Sequence, residues 1–351
     1  MKDINRKDMN DLRWLYWMAG IAGLFLTAGL AVSVGVVAIP ETETMAVLAS
    51  MLGLSAEMGI PQGHYDIIWE LRMPRVILAA LAGAGLALCG TVMQALVQNP
   101  LAEPYILGVA SGASLGAVVV IMLGGSAFLA GMGVSAGAFA GAVAATVIVV
   151  LLAGREQSAA AVRLILAGAV VSALFSALAN LVVYLANDAE GMRSAAFWTM
   201  GSLAGARWDN LWLPGMAVLA GGVFFALRLR ELNAMLLGEE TAITLGVDLT
   251  HERRKYLVLT ALLTGIIVSA CGIFGFVGLI VPHGVRMLWG ADHRRVLPGV
   301  MLAGAIFLML VDMLCRVLLP SGELPIGIVT ALVGAPLFMR LLFRADGGLR
   351  C

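Results

Sequence analysis

Hydrophobic positions along this chain fall into long runs almost free of charge, not into the short alternating stretches of a soluble domain. Such runs occupy residues 14–39, 74–97, 104–123, 127–152, 161–186, 209–229, 256–274, a broken stretch within 275–289, 296–319 and 325–343. A helix needs about 20 apolar residues to cross a hydrocarbon core of about 30 Å. The pattern therefore predicts an all-α, polytopic membrane protein with about ten transmembrane helices. The first run follows a basic start and exceeds the roughly 7 to 15 apolar residues of a cleavable signal, so it reads as a retained span. Gly275, Gly278, Pro282 and Gly284 interrupt the eighth. Broken backbone at membrane depth survives only where protein or a water-filled cavity surrounds it, which places this piece inside the bundle.

Between the runs, the polar stretch NAMLLGEETAITLGVDLTHERRK (233–255) stands out. Leu232, Met235 and Leu236 precede Gly238, and Ile243 and Leu245 precede Gly246, with Glu239 and Glu240 at the start of the second group. Glycine ends helices and carboxylates favour helix N-termini, so two short helices are expected over about 231–248. Helices this short are marginal alone. Their apolar positions point to a partner subunit, the alternative being an amphipathic pair lying on the headgroups. In QNPLAEPYILG (98–108), Asn99-Pro100 marks a turn, Pro104 suits a first helical position and Glu103 suits a helix start, which capping explains without catalysis. Asp312 and Arg316 lie four apart, on one helical face. They can neutralise each other, or Asp312 can orient Arg316 within an outward cationic cluster with Arg72 and Arg75 that docks an acidic partner. Ser172, Ser176 and Asn180 form a polar stripe that suits either a translocation path or hydrogen bonding between helices.

Composition narrows the function classes. Of 351 residues, 61% are hydrophobic and 13% charged, a membrane profile, and 42 glycines permit close helix packing. Net charge is zero, so no global field attracts nucleic acid. Cys89, Cys271, Cys315 and Cys351 fall singly, without metal-site spacing, and no metal or disulfide is expected. His64, His251, His283 and His293 are scattered and read as loop or packing residues. No GxxxxGK[ST] phosphate loop or HExxH occurs, so no cofactor is expected on this chain. The loops leave no room for a separate soluble domain of some 50 residues, which makes 1–351 one transmembrane domain.

With ten spans and an inner N-terminus, seventeen Lys and Arg residues fall on the inner side, and only Arg72, Arg75, Arg193, Arg207 and Arg316 fall outside. That bias places both termini in the cytoplasm. Gly83, Cys89, Gly90, Pro100 and Gly108 recur 182 residues later as Gly265, Cys271, Gly272, Pro282 and Gly290. If this is a duplication, each unit holds five spans and the halves are inverted.

Four blocks then carry a resemblance: residues 71–117, MLLGEETAITLGVD (235–248), GFVGLIVPHGVRMLWGADHRRVLPG (275–299) and ELPIGIVTALVGAPLFMRLL (323–342). In this order they closely resemble the FecCD-type permeases, the membrane subunits of type II ABC importers for ferric siderophores, haem and cobalamin, from about residue 65 onward. The resemblance implies a homodimer in the bacterial inner membrane. It also implies two cytoplasmic ATPase subunits, which bind the ATP and Mg, and a periplasmic substrate-binding protein. By position, it assigns ATPase coupling to the segment from Met235 to Val247, with Leu237, Gly238, Glu239, Glu240, Thr241, Ala242, Leu245 and Gly246. Arg72, Arg75 and Arg316 take the binding-protein docking positions. A ferric siderophore is the favoured cargo, ahead of cobalamin and haem. The competing class is an ion-coupled secondary transporter, which would carry carboxylates deep in several spans; Asp312 is the one clear case here.

Overall fold

The computed structural model describes residues 6–35, 37–51, 60–124, 133–154, 160–246, 248–319 and 322–346. Lys2, Arg155, Val247, Arg350, Cys351 and the start of the predicted fourth span at 127–132 lie outside these residues. The chain opens with α1 (Arg6–Ser33), α2 (Glu41–Met51) and α3 (Gln62–Asp66). A π-helical turn at Ile67–Arg72 runs straight into α4 (Met73–Val97). After a 3-10 turn at Pro104–Leu107 come α5 (Val109–Leu123), α6 (Val134–Ala153), α7 (Ala160–Ala186), α8 (Ala189–Thr199) and α9 (Trp212–Leu227). The short α10 (Leu229–Leu236) and α11 (Glu239–Thr244) lead to α12 (Leu249–Cys271), α13 (Val277–Trp289), α14 (His293–Val317) and α15 (Ile326–Asp346). Among the described residues, seven helices are long and apolar enough to cross a bilayer, and α5, α13 and α15 supply three shorter apolar ones. Together they coincide with the ten predicted runs.

Boundaries move where a polar group intervenes. The first run extends to Ile39 in sequence, yet α1 stops at Ser33. Arg72 takes the carbonyls there, donating to Val32 at 2.9 Å, to Ser33 at 2.7 Å and to Val37. The final carbonyls of a helix lack intrahelical partners, so a guanidinium at that point ends the helix and satisfies it together. The third run divides at Gly108, whose φ of 71° separates the 3-10 turn from α5. Three of the described helices, α2, α3 and α8, have no counterpart in the hydrophobic pattern; α8 is capped by Asp188 accepting from the Glu190 N–H at 3.1 Å. The backbone after α8 ties other ends together, with Ser202 N–H donating to Cys271 at 2.8 Å and Gly327 N–H to Met200 at 3.0 Å.

At the centre stands α4. Within the helix that contains it, 83% of the most apolar window is buried, against 22% for α7 and α9. Lipid tails are as apolar as leucine, so burial alone does not drive helices together; close approach of backbones does. Gly83 faces Gly304 of α14, and Gly90 faces Gly278 of α13, so closely that a methyl group at Gly83, Gly90 or Gly304 would overlap the opposing backbone. The proposed repeat partners play different parts: Gly90 lies inside α4, whereas Gly272 has φ of 74° and ends α12.

Gly83→Leu should therefore force α4 and α14 apart and cost about 1–3 kcal/mol or more. Gly29→Leu, where nothing approaches the added carbon, should be close to neutral. Thermal unfolding in detergent should show a clear fall in midpoint for the first variant only; equal midpoints would contradict this packing.

Candidate functional site

The predicted docking and coupling residues gather at two ends of the bundle, and α4 reaches both. At one end the three arginines meet. Arg75 of α4 donates through Nε to Asp312 of α14 at 2.9 Å and through Nη1 to Glu323 at 2.7 Å. Arg316, one turn beyond Asp312, pairs with its other oxygen at 3.2 Å and donates to the Val34 carbonyl at 2.7 Å. Arg72 is held by carbonyls at the end of α1, as described. Three cations thus face two carboxylates, so the cluster keeps an excess positive charge. All three arginines are buried, and Glu323, with its side chain 34% exposed, sits at the rim. The sequence spacing foresees the pairing of Asp312 with Arg316. It gives no signal that Glu323, 248 residues from Arg75, is a partner. These arginines bind α1, α4, α14 and the segment before α15 into one end, and they do not project freely from it.

At the other end lie α10 and α11, the two short helices expected from the glycine spacing. Gly238, with φ of 102°, separates them, and Glu239 and Glu240 occupy the first turn of α11. Inward, Leu232, Ala234, Met235 and Ala242 are buried. Outward, Leu237, Ile243 and Leu245 are 63%, 50% and 62% exposed. Thr241, Glu240 and Gly246 are also exposed, while Gly238 and Glu239 are half-buried and Glu239 pairs with Arg253 at 3.6 Å. A surface groove of about 550 Å³ runs beside Arg230, Leu236, Leu237 and Leu245.

Polar side chains fix this pair to the bundle. Gln98, just past α4, donates to the Met235 carbonyl at 3.0 Å. Asn233 donates to Asp292 at 2.8 Å and accepts from the His293 N–H at 2.9 Å and from its Nδ1 at 2.8 Å. The Arg294 N–H that Asp292 accepts as N-cap of α14 holds its carboxyl below the usual range against partial burial, with help from Asn233 and the flanking arginines. Asp292, which stands directly before α14, was not singled out in the sequence. Neither was Asn233, because its partners lie 59 and 60 residues away.

Glu103 does cap a helix, but not the one that follows it in sequence. It accepts from the Phe276 N–H at 2.9 Å, at the start of α13, and Tyr105 donates to the Phe274 carbonyl at 2.8 Å. The interrupted eighth segment is thus held by the punctuated stretch 98–108. Further along α13, Arg286 donates to Gln94 of α4 at 2.5 Å. Ser172 is half-buried, and Ser176 and Asn180 are exposed; at 3.6 residues per turn the exposed Leu174, Leu178 and Leu181 fall on a different side of α7. Cys89, Cys271 and Cys315 are buried and free.

Comparison with known proteins returns one family over nearly the whole chain: the FecCD transport family matches residues 23–344. The vitamin B12 import system permease protein BtuC of Salmonella typhimurium is 39% identical over 308 residues, 86% of this chain and 93% of that protein. The hemin transport system permease protein HmuU of Yersinia pestis is 40% identical over 285 residues, 80% and 85% respectively. Among solved structures, a metal-chelate type ABC transporter in an inward-facing conformation superposes with a TM-score of 0.79 at 33% identity, covering 93% of this chain and 98% of that one.

Proposed function

This chain belongs to the FecCD transport family, and from that premise we propose what it carries and what drives it. It is a multi-pass membrane permease subunit of an ABC importer for a metal chelate. Its cargo, in our reading, is a metal-centred tetrapyrrole of the cobalamin and haem type. Support comes from relatives named for vitamin B12 and hemin, each about two-fifths identical over most of both chains. The ferric siderophore expected from the resemblance moves behind these two.

The motor is a pair of cytoplasmic ATPase subunits seated on α10 and α11. The observation that carries this is the outward row Leu237, Ile243 and Leu245, on helices that the chain itself anchors only from the inner side. A second copy of the chain faces α7, with the exposed Ser176 and Asn180 along the path. A periplasmic binding protein docks at the arginine end; Arg75, with one partner at the rim, is the group an incoming carboxylate reaches first. Both termini lie in the cytoplasm, in keeping with the distribution of basic residues.

The mechanism follows from the bonding. Closure of the ATPase dimer displaces α10 and α11; α10 is bonded to Gln98 at the foot of α4 and to the first turn of α14. These two helices meet through Gly83 and Gly304 and move as a block, opening the path to one side and then the other. This chain breaks no covalent bond.

Leu237→Asp, Ile243→Asp and Leu245→Asp combined should leave the permease monodisperse but without co-purifying ATPase subunits; an intact complex would contradict the coupling assignment. The cognate binding protein should take up cyanocobalamin or haemin in calorimetric titration, and binding of a ferric siderophore alone would overturn the cargo.

A further inference from the structure

Away from both ends, the flank of the bundle carries a groove of about 200 Å³ between α6 and α12. Val143, Val147 and Val150 form one side, Val258 and Leu262 the other, and Arg254 closes the end nearest α11. The Thr146 hydroxyl within it is already spent on the Ala142 carbonyl at 2.9 Å, which leaves Arg254 as the polar handle. From Arg254 to Leu262 is eight residues of helix, a rise of about 12 Å. That is close to the depth of one leaflet, half of a core of about 30 Å.

Charge bookkeeping singles out the same residue. In the run Arg253, Arg254, Lys255, the first pairs with Glu239 at 3.6 Å and the third with Glu252 at 2.9 Å. Arg254 is exposed and has no ion pair with a described carboxylate. An apolar slot one leaflet deep, with an uncompensated cation at headgroup level, matches a lipid that carries net negative charge.

We propose that this groove binds an acidic glycerophospholipid of the cytoplasmic leaflet, with an acyl chain between α6 and α12 and the phosphate on Arg254. The site rests on the membrane placement of these helices and is independent of cargo and ATPase. A zwitterionic choline lipid would set its own cation against the basic run and should bind less well.

Native mass spectrometry of the purified permease, with phosphatidylglycerol and phosphatidylcholine of identical chains, tests this without partner subunits. The wild-type chain should retain phosphatidylglycerol over phosphatidylcholine by about fivefold or more, as expected for one basic residue at an acidic leaflet. Arg254→Gln should abolish that preference, and Val258→Trp, which fills the slot from a lipid-facing position, should reduce retention of both lipids. Both positions are exposed, so the fold should persist. Equal retention of the two lipids by the wild type, or an unchanged preference in Arg254→Gln, would reduce the binding to ordinary annular lipid. Loss in Arg254→Gln with none in Val258→Trp would remove the groove from the site.

Discussion

Helices surrounded by lipid gain little from hiding apolar surface from one another, so this molecule depends on how closely its backbones can approach α4. Glycines at 83 and 90 bring α14 and α13 against that helix at distances no side chain would allow. The cost of leaving polar groups unpaired in a low-dielectric interior then shapes everything attached to it. Arg75 at one end of α4 pairs with carboxylates from α14 and the segment before α15. Gln94 meets Arg286 of α13 near the other end, and Gln98 just beyond it reaches α10. One helix therefore carries contacts to both candidate ends.

The two ends differ in physical character. The arginine end is dense and charged, with Asp312 shared by two guanidiniums, and removing a single member would leave a buried charge without its counterion. The α10–α11 end is held by the amides of Gln98 and Asn233, the Asp292 carboxylate, His293 and the looser Glu239–Arg253 pair, and it exposes Leu237, Ile243 and Leu245. Such a division suits the proposed mechanism, in which the second end receives a push and the first must stay intact while it is transmitted.

Most of the architecture was legible in the hydrophobic pattern, because crossing helices need length and lack charge, and both properties are local. The pair α10 and α11 was legible for the same reason, from Gly238, Gly246 and the carboxylates between them. What escaped was non-local or short. The end of α1 at Ser33 is set by Arg72, nearly forty residues away. The partner of Arg75 at Glu323 and the clasp of Asn233 on Asp292 and His293 join segments whose sequences say nothing of each other. Glu103 was readable as a cap, yet its helix is α13. The short α8, which carries charges of both signs, has too weak an apolar pattern to predict.

In the proposed mechanism, cargo moves only when a nucleotide-hydrolysing partner grips α10 and α11. The most direct measurement is uptake of labelled cobalamin or haem into proteoliposomes supplied with the binding protein, with and without the ATPase subunits and ATP. Accumulation should require the ATPase subunits and ATP together. Accumulation against a gradient by the permease without them would contradict the account.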